Sequence, residues 1–378
     1  MITLRGISWD HTRGFVSKVA TGQRFHELRP DIEIVWEKRS LQQFADFPVP
    51  ELAEKFDVLD IDHPSVGEAM AARALVPLDD LLPAGFLADQ AANSVGASHA
   101  SYRIDGSQWA LAVDAATPVS AWRPDLISHP PDSWEELLGL ARSGRVAVPA
   151  IPVDSLMHFY PLCLWLGEAP FQSLDRVVSG EVGLAALAML RDLVSACPPE
   201  CLSRNPIRTF EAMSSGDGIA YCPFAYGYSN YARPGYARKV LKFGGLVAMP
   251  DGRRLTSTLG GTGLAVSARS NERQAAVDFI AFAASPDVQR GIYFQSGGQP
   301  GHRSAWMDPA VNAACNGFFE DTLPTLDASF LRPRYPGYLE FQDAGGTVVH
   351  DFLSGRCDAA EALVRMDRIY RESQNNKS

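Results

Sequence analysis

The stretch Gly260-Gly261-Thr262-Gly263-Leu264-Ala265-Val266-Ser267 constrains this chain more than any other. Its glycines permit a tight turn or a close approach of backbone to backbone. Residues 264–266 then read as a short buried strand. Ala275, Ala276, Phe279, Ile280 and Ala283 recur at helical spacing, so a helix is expected over 271–284. Ser285 suits an N-cap, with Pro286 at the first helical position and Gly297 just past the end. The pattern predicts a crossover, in which the chain leaves one lobe, makes a strand at a glycine hinge and lays a helix pair on the other.

Two lobes also agree with the length, because 378 residues exceed what one ordinary core accommodates. The 34 basic and 44 acidic side chains leave a formal charge of -10, which argues against nucleic acid or an anionic membrane face as the main partner. No apolar run approaches the length of a membrane span. Met1-Ile2-Thr3-Leu4 enters directly into the first expected strand without the features of a secretory leader. Of the six cysteines, Cys197 and Cys201 could close a small loop through Pro198-Pro199-Glu200, while Cys163 and Cys222 read as buried thiols. No zinc spacing is present.

Strands are expected at 2–7, 32–36 and 56–61, separated by helical stretches, which suggests parallel βαβ wiring. Their carboxyl ends carry Ser8-Trp9-Asp10-His11-Thr12-Arg13-Gly14, Glu37-Lys38-Arg39-Ser40 and Asp62-His63-Pro64. Open α/β sheets bind ligands at such ends, so Trp9, Asp10, His11, Arg39, Asp62 and His63 should converge. A capped loop with Trp9 packed is the alternative reading of the first group, and the functional one is preferred because convergent polar groups around an aromatic mark a site. Arg39 could equally be a tie from the second strand to Asp10 or Asp62, and the two histidines neutral partners of neighbouring carboxylates. Asp105-Gly106 is a hairpin signal. Ser133 with Glu136, and Asp358 with Glu361, form capping pairs ahead of apolar stripes. Residues 146–148 read as a strand, and Trp109 and Trp134 as core. Tyr221, Tyr226, Tyr228 and Tyr231 crowd into eleven residues.

Several segments in this order resemble the family 1 extracellular solute-binding proteins, the receptors of ABC importers. They are the Gly260-Gly261 strand with its Ala- and Phe-rich helix and Ser285-Pro286-Asp287-Val288-Gln289, and Leu75-Val76-Pro77-Leu78-Asp79. Tyr102-Arg103-Ile104-Asp105-Gly106, Trp134-Glu135-Glu136-Leu137-Leu138 and Gly218-Ile219-Ala220-Tyr221 continue the likeness over nearly the whole chain. The resemblance implies a two-lobed, type II periplasmic-binding-protein-like α/β fold, each lobe a mostly parallel sheet flanked by helices, with a ligand cleft between lobes. Lobe 1 would comprise 1–114 plus 259–305, and lobe 2 would comprise 115–258 plus 306–378.

The implied function is a non-enzymatic, carbohydrate-type receptor that captures a sugar, polyol, sugar acid or small carboxylate by hinged closure. Its partner would be the membrane permease of an ABC transporter. The ligand-binding set expected on this basis is Trp9, Asp10, His11, Arg39, Asp62, His63, Asp114, Trp122, Tyr221, Tyr226, Gly261, Thr262 and Arg334. Neither a cofactor nor a metal is expected, and the receptor would be a monomer. The resemblance implies a periplasmic or extracellular location, and the start at Met1 leaves a cytoplasmic sensor or carrier as an alternative. Ferric iron held by the tyrosines with His11 or His63, and a metal-dependent or acid/base hydrolase built on Asp10-His11 and Asp62-His63, are the other readings.

Overall fold

The computed structural model describes residues 1–40 and 48–375. The chain divides into two compact units, the first made of Met1–Ala116, Leu259–Ala313 and Arg334–Pro336, the second of Thr117–Thr258, Ala314–Pro333 and Gly337–Ser378. Residues 306–313 thus lie in the first unit, where Trp306 donates its indole N–H to the Pro300 carbonyl at 2.6 Å.

The first unit is built on a five-stranded sheet of β1 (Ile2–Trp9), β2 (Ile32–Arg39), β3 (Val58–Ile61), β6 (Leu111–Ala116) and β10 (Gly260–Val266), in the order β2-β1-β3-β10-β6. A short hairpin of β4 (Arg103–Ile104) and β5 (Ser107–Gln108) turns at Asp105-Gly106, both with positive φ. Side chains alternate across the large sheet with the period of two that a strand imposes. Leu4, Val58, Leu111, Val113, Leu264 and Val266 join one core with Phe279 and Ile280 of the helix Arg273–Ala284. Ile7, Leu59, Ile61, Ala112 and Ala265 join another with Leu52, Val66 and Tyr102. Both faces are therefore covered, as the apolar runs of these strands require.

Strand direction departs from the expectation of mostly parallel sheets. β1 runs parallel to β2 and β3, but β10 is antiparallel to both β3 and β6. In the second unit β7 (Pro118–Trp122) lies antiparallel to β8 (Tyr221–Tyr226) and β9 (Lys242–Gly244). The reason is connectivity: a strand that enters from a distant part of the chain is not bound by the right-handed crossover that makes βαβ neighbours parallel. Residues 146–148 form no strand. Val146 makes a single parallel bridge to Tyr221, and the chain turns at Pro149 into the helix Pro152–Trp165.

The second unit is mainly helical. Gly346 of the helix Tyr338–Leu353 lets Pro152 approach so closely that a Cβ there would sit 2.7 Å from the Pro152 carbonyl oxygen. Phe171 is ringed by Tyr160, Tyr338, Phe341 and Tyr370. The caps behave as their residue types demand. Ser133 Oγ accepts from the Glu136 amide at 3.2 Å and Asp358 from the Glu361 amide at 2.8 Å. Ser285 instead bonds back to the Phe282 carbonyl and caps nothing. Trp134 is buried, and Trp109 is half-buried with its N–H on the Ile104 carbonyl. All six cysteines are free thiols.

Candidate functional site

The carboxyl ends of β1, β2 and β3 meet the start of β10 and the end of β6 along one edge of the first unit's sheet. Register fixes this: Trp9 pairs with Arg39, Gly263 with Ile61, and Thr262 with Asp114. Gly261 has a φ of 104°, and a Cβ on it would lie 2.3 Å from the Asp114 carbonyl oxygen, so the expected need for glycine is a matter of close strand approach. A bulge follows between Thr262 and Gly263.

Past β1 the chain turns at His11, whose Nδ1 accepts from the Arg13 amide at 3.0 Å. Trp9 is buried and stacks on the His11 ring, with centroids 5.2 Å apart and planes 11° from parallel. Gly14 makes room for that indole, since a Cβ would stand 2.5 Å from it. Burial, and then the nearby Arg13 charge, pull the His11 pKa down to about 4, so the ring is neutral near pH 7. Asp10 is exposed and pairs with Lys38 at 2.9 Å.

Arg13 reaches Asp114 with two parallel N–H donors, one of them Nε to Oδ2 at 2.8 Å, and both side chains are buried. Planar guanidinium matches carboxylate in this bidentate fashion. A second buried group lies beside it. Lys18 sits 3.2 Å from Asp60 and donates to the Tyr293 hydroxyl at 3.1 Å, and Ser8 donates to Asp60 at 2.6 Å. Burial works against the Lys18 ammonium, but the charges of Asp60, Tyr293 and Asp114 outweigh it and raise its pKa. Burial pushes the Tyr293 phenol up to about 12 despite that ammonium.

Arg39 donates to the Asp60 carbonyl at 3.2 Å, and burial brings it down to about 10 against the pull of Asp60. Asp60, to which the sequence did not point, is therefore one charge that Arg39 faces. Asp62 accepts from the His63 amide at 2.8 Å and lies 3.1 Å from His63 Nδ1. Thr262 Oγ1 is buried and has no hydrogen-bond partner among the described residues.

Arg334 also belongs to this unit, but its guanidinium holds the carbonyls of Ala100, Ser101 and Arg103, each at 3.0 Å. Its backbone oxygen packs on Gly67, where a Cβ would be 1.6 Å away. Arg334 is thus a tie at the end of the short helix Ser98–Ser101.

In the second unit Trp122 is half-buried and faces Gly244, and Tyr221 is buried with its pKa raised, chiefly by burial. The Tyr226 hydroxyl is 3.2 Å from Thr258 Oγ1, and Tyr231 donates to Glu211 at 2.7 Å. These bonds occupy two tyrosines of the ferric-iron reading. Among the described residues no three His, Cys, Asp or Glu side chains gather to hold a metal ion.

Arg13, Lys18, Asp60 and Tyr293 were not singled out from sequence. Asp60 alone carried a legible signal, a charge inside the apolar strand Val58–Ile61, which a fold tolerates only when the charge is paired.

Two units whose segments interleave along the chain, one with a five-stranded sheet of mixed direction, define a two-lobed periplasmic-binding-protein-like fold. The model of the bacterial extracellular solute-binding protein family matches residues 31–314, and the chain belongs to that family, which comprises binding proteins and not enzymes. The fold is similar to the maltose-bound MalE3 of T. maritima, at 20% identity and a TM-score of 0.83 over 98% of this chain and 100% of that one. It is also similar to an ABC transporter solute-binding protein from Thermotoga lettingae TMO bound with alpha-D-tagatose, at 16% identity and a TM-score of 0.82 over 99% and 100%. A third, from Agrobacterium radiobacter K84 in complex with ribitol, has 20% identity and a TM-score of 0.76 over 99% and 98%. Membership implies a small-molecule ligand, delivery to an ABC permease and a periplasmic or extracellular location. No described helix is long and apolar enough to cross a membrane.

Proposed function

We propose that this receptor binds a neutral, hydroxyl-rich solute, a sugar or polyol, as a monomer, and that the sheet edge of the first unit supplies the specificity. The observation that carries this reading is the buried Thr262 hydroxyl beside the Arg13–Asp114 pair. A buried polar group without a partner is costly unless a ligand completes it. Arg13 is already neutralised by Asp114, so a ligand hydroxyl can accept from or donate to the pair without bringing a charge of its own. Asp10, His11, Asp62 and His63 line the same strand ends, and neutral His11, backed by the buried Trp9 ring, offers a face suited to a sugar ring. Maltose, tagatose and ribitol, the ligands of the three similar structures, are of this chemistry. Trp122, Tyr221 and Tyr226 are candidate contacts on the second unit, each to be tested separately.

A sugar acid or small carboxylate is the second reading, favoured by the buried Arg39 guanidinium at the end of β2. A thermal-shift screen followed by calorimetric titration separates the two. A ligand at 100 times its dissociation constant adds about 2.7 kcal/mol to folding stability. Sugars or polyols should stabilise the protein while their acid counterparts do not. Stabilisation by acids alone would replace the first reading with the second.

A further inference from the structure

The second unit holds three buried thiols near one another, Cys197, Cys201 and Cys222, and the solute-receptor function uses none of them. Cys197 follows the helix Gly180–Ser195, and its amide still donates to the Val194 carbonyl at 3.1 Å. Pro198 and Pro199 then restrict the backbone, and the 3-10 turn Pro199–Ser203 folds Cys201 back, with its amide on the Pro198 carbonyl at 3.0 Å. The result is that the turn brings the Cys197 and Cys201 thiols together, close enough for each to bear on the other's ionisation. Cys201 is anchored on the far side as well. Its sulfur accepts from the Val148 amide at 3.4 Å, and its carbonyl accepts from the Ala150 amide at 3.0 Å.

We infer that Cys197 and Cys201 form a disulfide when the protein matures in an oxidising compartment. The inference rests on the extracytoplasmic location that the family implies, where disulfides persist. The chemistry is thiol–disulfide exchange with an exogenous disulfide, either a small molecule or a dithiol oxidoreductase. The Cys201 thiolate attacks one sulfur of that disulfide and releases the other as a thiol. Cys197 then attacks Cys201 Sγ in the mixed disulfide, forming the Cys197–Cys201 bond and releasing the second thiol. The two protons lost from the cysteines end on the two thiols released, and the oxidant gains the two electrons. Because Cys201 is fully buried, exchange takes place on the folding chain, and packing afterwards shields the bond. Cys222 points to the same cluster from β8, but among the described residues it makes no hydrogen bond to either thiol.

The test uses the full chain, unfolded in reductant and refolded with a glutathione disulfide buffer. It is then alkylated in denaturant without reductant and digested with trypsin. Cleavage after Arg191 and Arg204 places both cysteines in the fragment 192–204 and leaves Cys222 in another. The expected fragment is unalkylated and lighter by two hydrogens than its reduced form, and Cys197→Ser restores alkylation at Cys201. Alkylation of both cysteines in the refolded wild type, or a bridge from either to Cys222, overturns the inference. A bridge in vitro with free thiols in protein taken from its native compartment would sink only the location on which the inference rests, and with it the bridge in the cell. Ligand titration of the same samples reports the receptor function independently.

Discussion

Arg13 and Asp114 stand 101 positions apart in the chain yet form a bidentate, fully buried ion pair that ties the turn after β1 to β6 at the sheet edge. Two charges out of water are tolerable only as a pair, so each residue makes the other necessary.

Breaking that pair should therefore cost more than removing both members. Asp114→Ala leaves the guanidinium buried and uncompensated and is expected to destabilise the protein by about 3–5 kcal/mol. The double substitution Arg13→Met with Asp114→Leu should recover most of the loss. Urea unfolding of the three proteins measures both values, and a double variant no better than Asp114→Ala would contradict the pairing.

Gly261→Val should destabilise severely. The site combines a φ of 104° with an Asp114 carbonyl oxygen 2.3 Å from any Cβ. A β-branched residue suffers on both counts, and the backbone strain alone is of order 1–3 kcal/mol. A melting temperature within a degree or two of wild type would show that the strands can part without cost.

Asp154 sits at the start of the helix Pro152–Trp165, buried, with Oδ2 lacking a hydrogen-bond partner among the described residues. Burial raises its pKa to about 8. A carboxyl raised in the folded state binds its proton more tightly there than in the unfolded chain. Its contribution is complete below the unfolded value near 3.8 and is lost as the pH rises toward 8. Asp154→Asn should remove this slope, gaining about 5 kcal/mol over wild type at pH 8 and little at pH 4, at about 1.4 kcal/mol for each pH unit between the folded and unfolded values. Denaturation curves at both pH values check it, and equal differences would show that Asp154 does not titrate across this range.

Asp62→Ala should lower ligand affinity at least about tenfold, or 1.4 kcal/mol. It also removes the bond to the His63 amide, so a stability loss of about 1 kcal/mol is expected alongside. Trp9 is 3% exposed and stacked on His11, which makes Trp9→Ala costly to the fold; Trp9→Phe is the better probe of its proposed part in supporting His11. Calorimetric titration with the best ligand of the screen decides, and an Asp62→Ala protein with wild-type affinity would remove that residue from the site.

The amino-acid sequence alone determined what depends on neighbours along the chain. The hairpin at Asp105-Gly106, the caps at Ser133 and Asp358, the helix over 273–284 and the three strand ends carrying polar clusters follow from local conformational preference and apolar period. Resemblance across many such local signals also carried the family. Tertiary structure alone decided which charges meet. Arg13 finds Asp114, Lys18 finds Asp60 and Tyr293, and Arg334 turns to the carbonyls at 100, 101 and 103. It also set β10 antiparallel to its neighbours. The reason is physical. Period and propensity report whether a residue is buried, but a buried charge is satisfied by a partner whose sequence distance is arbitrary, and strand register across the sheet chooses that partner.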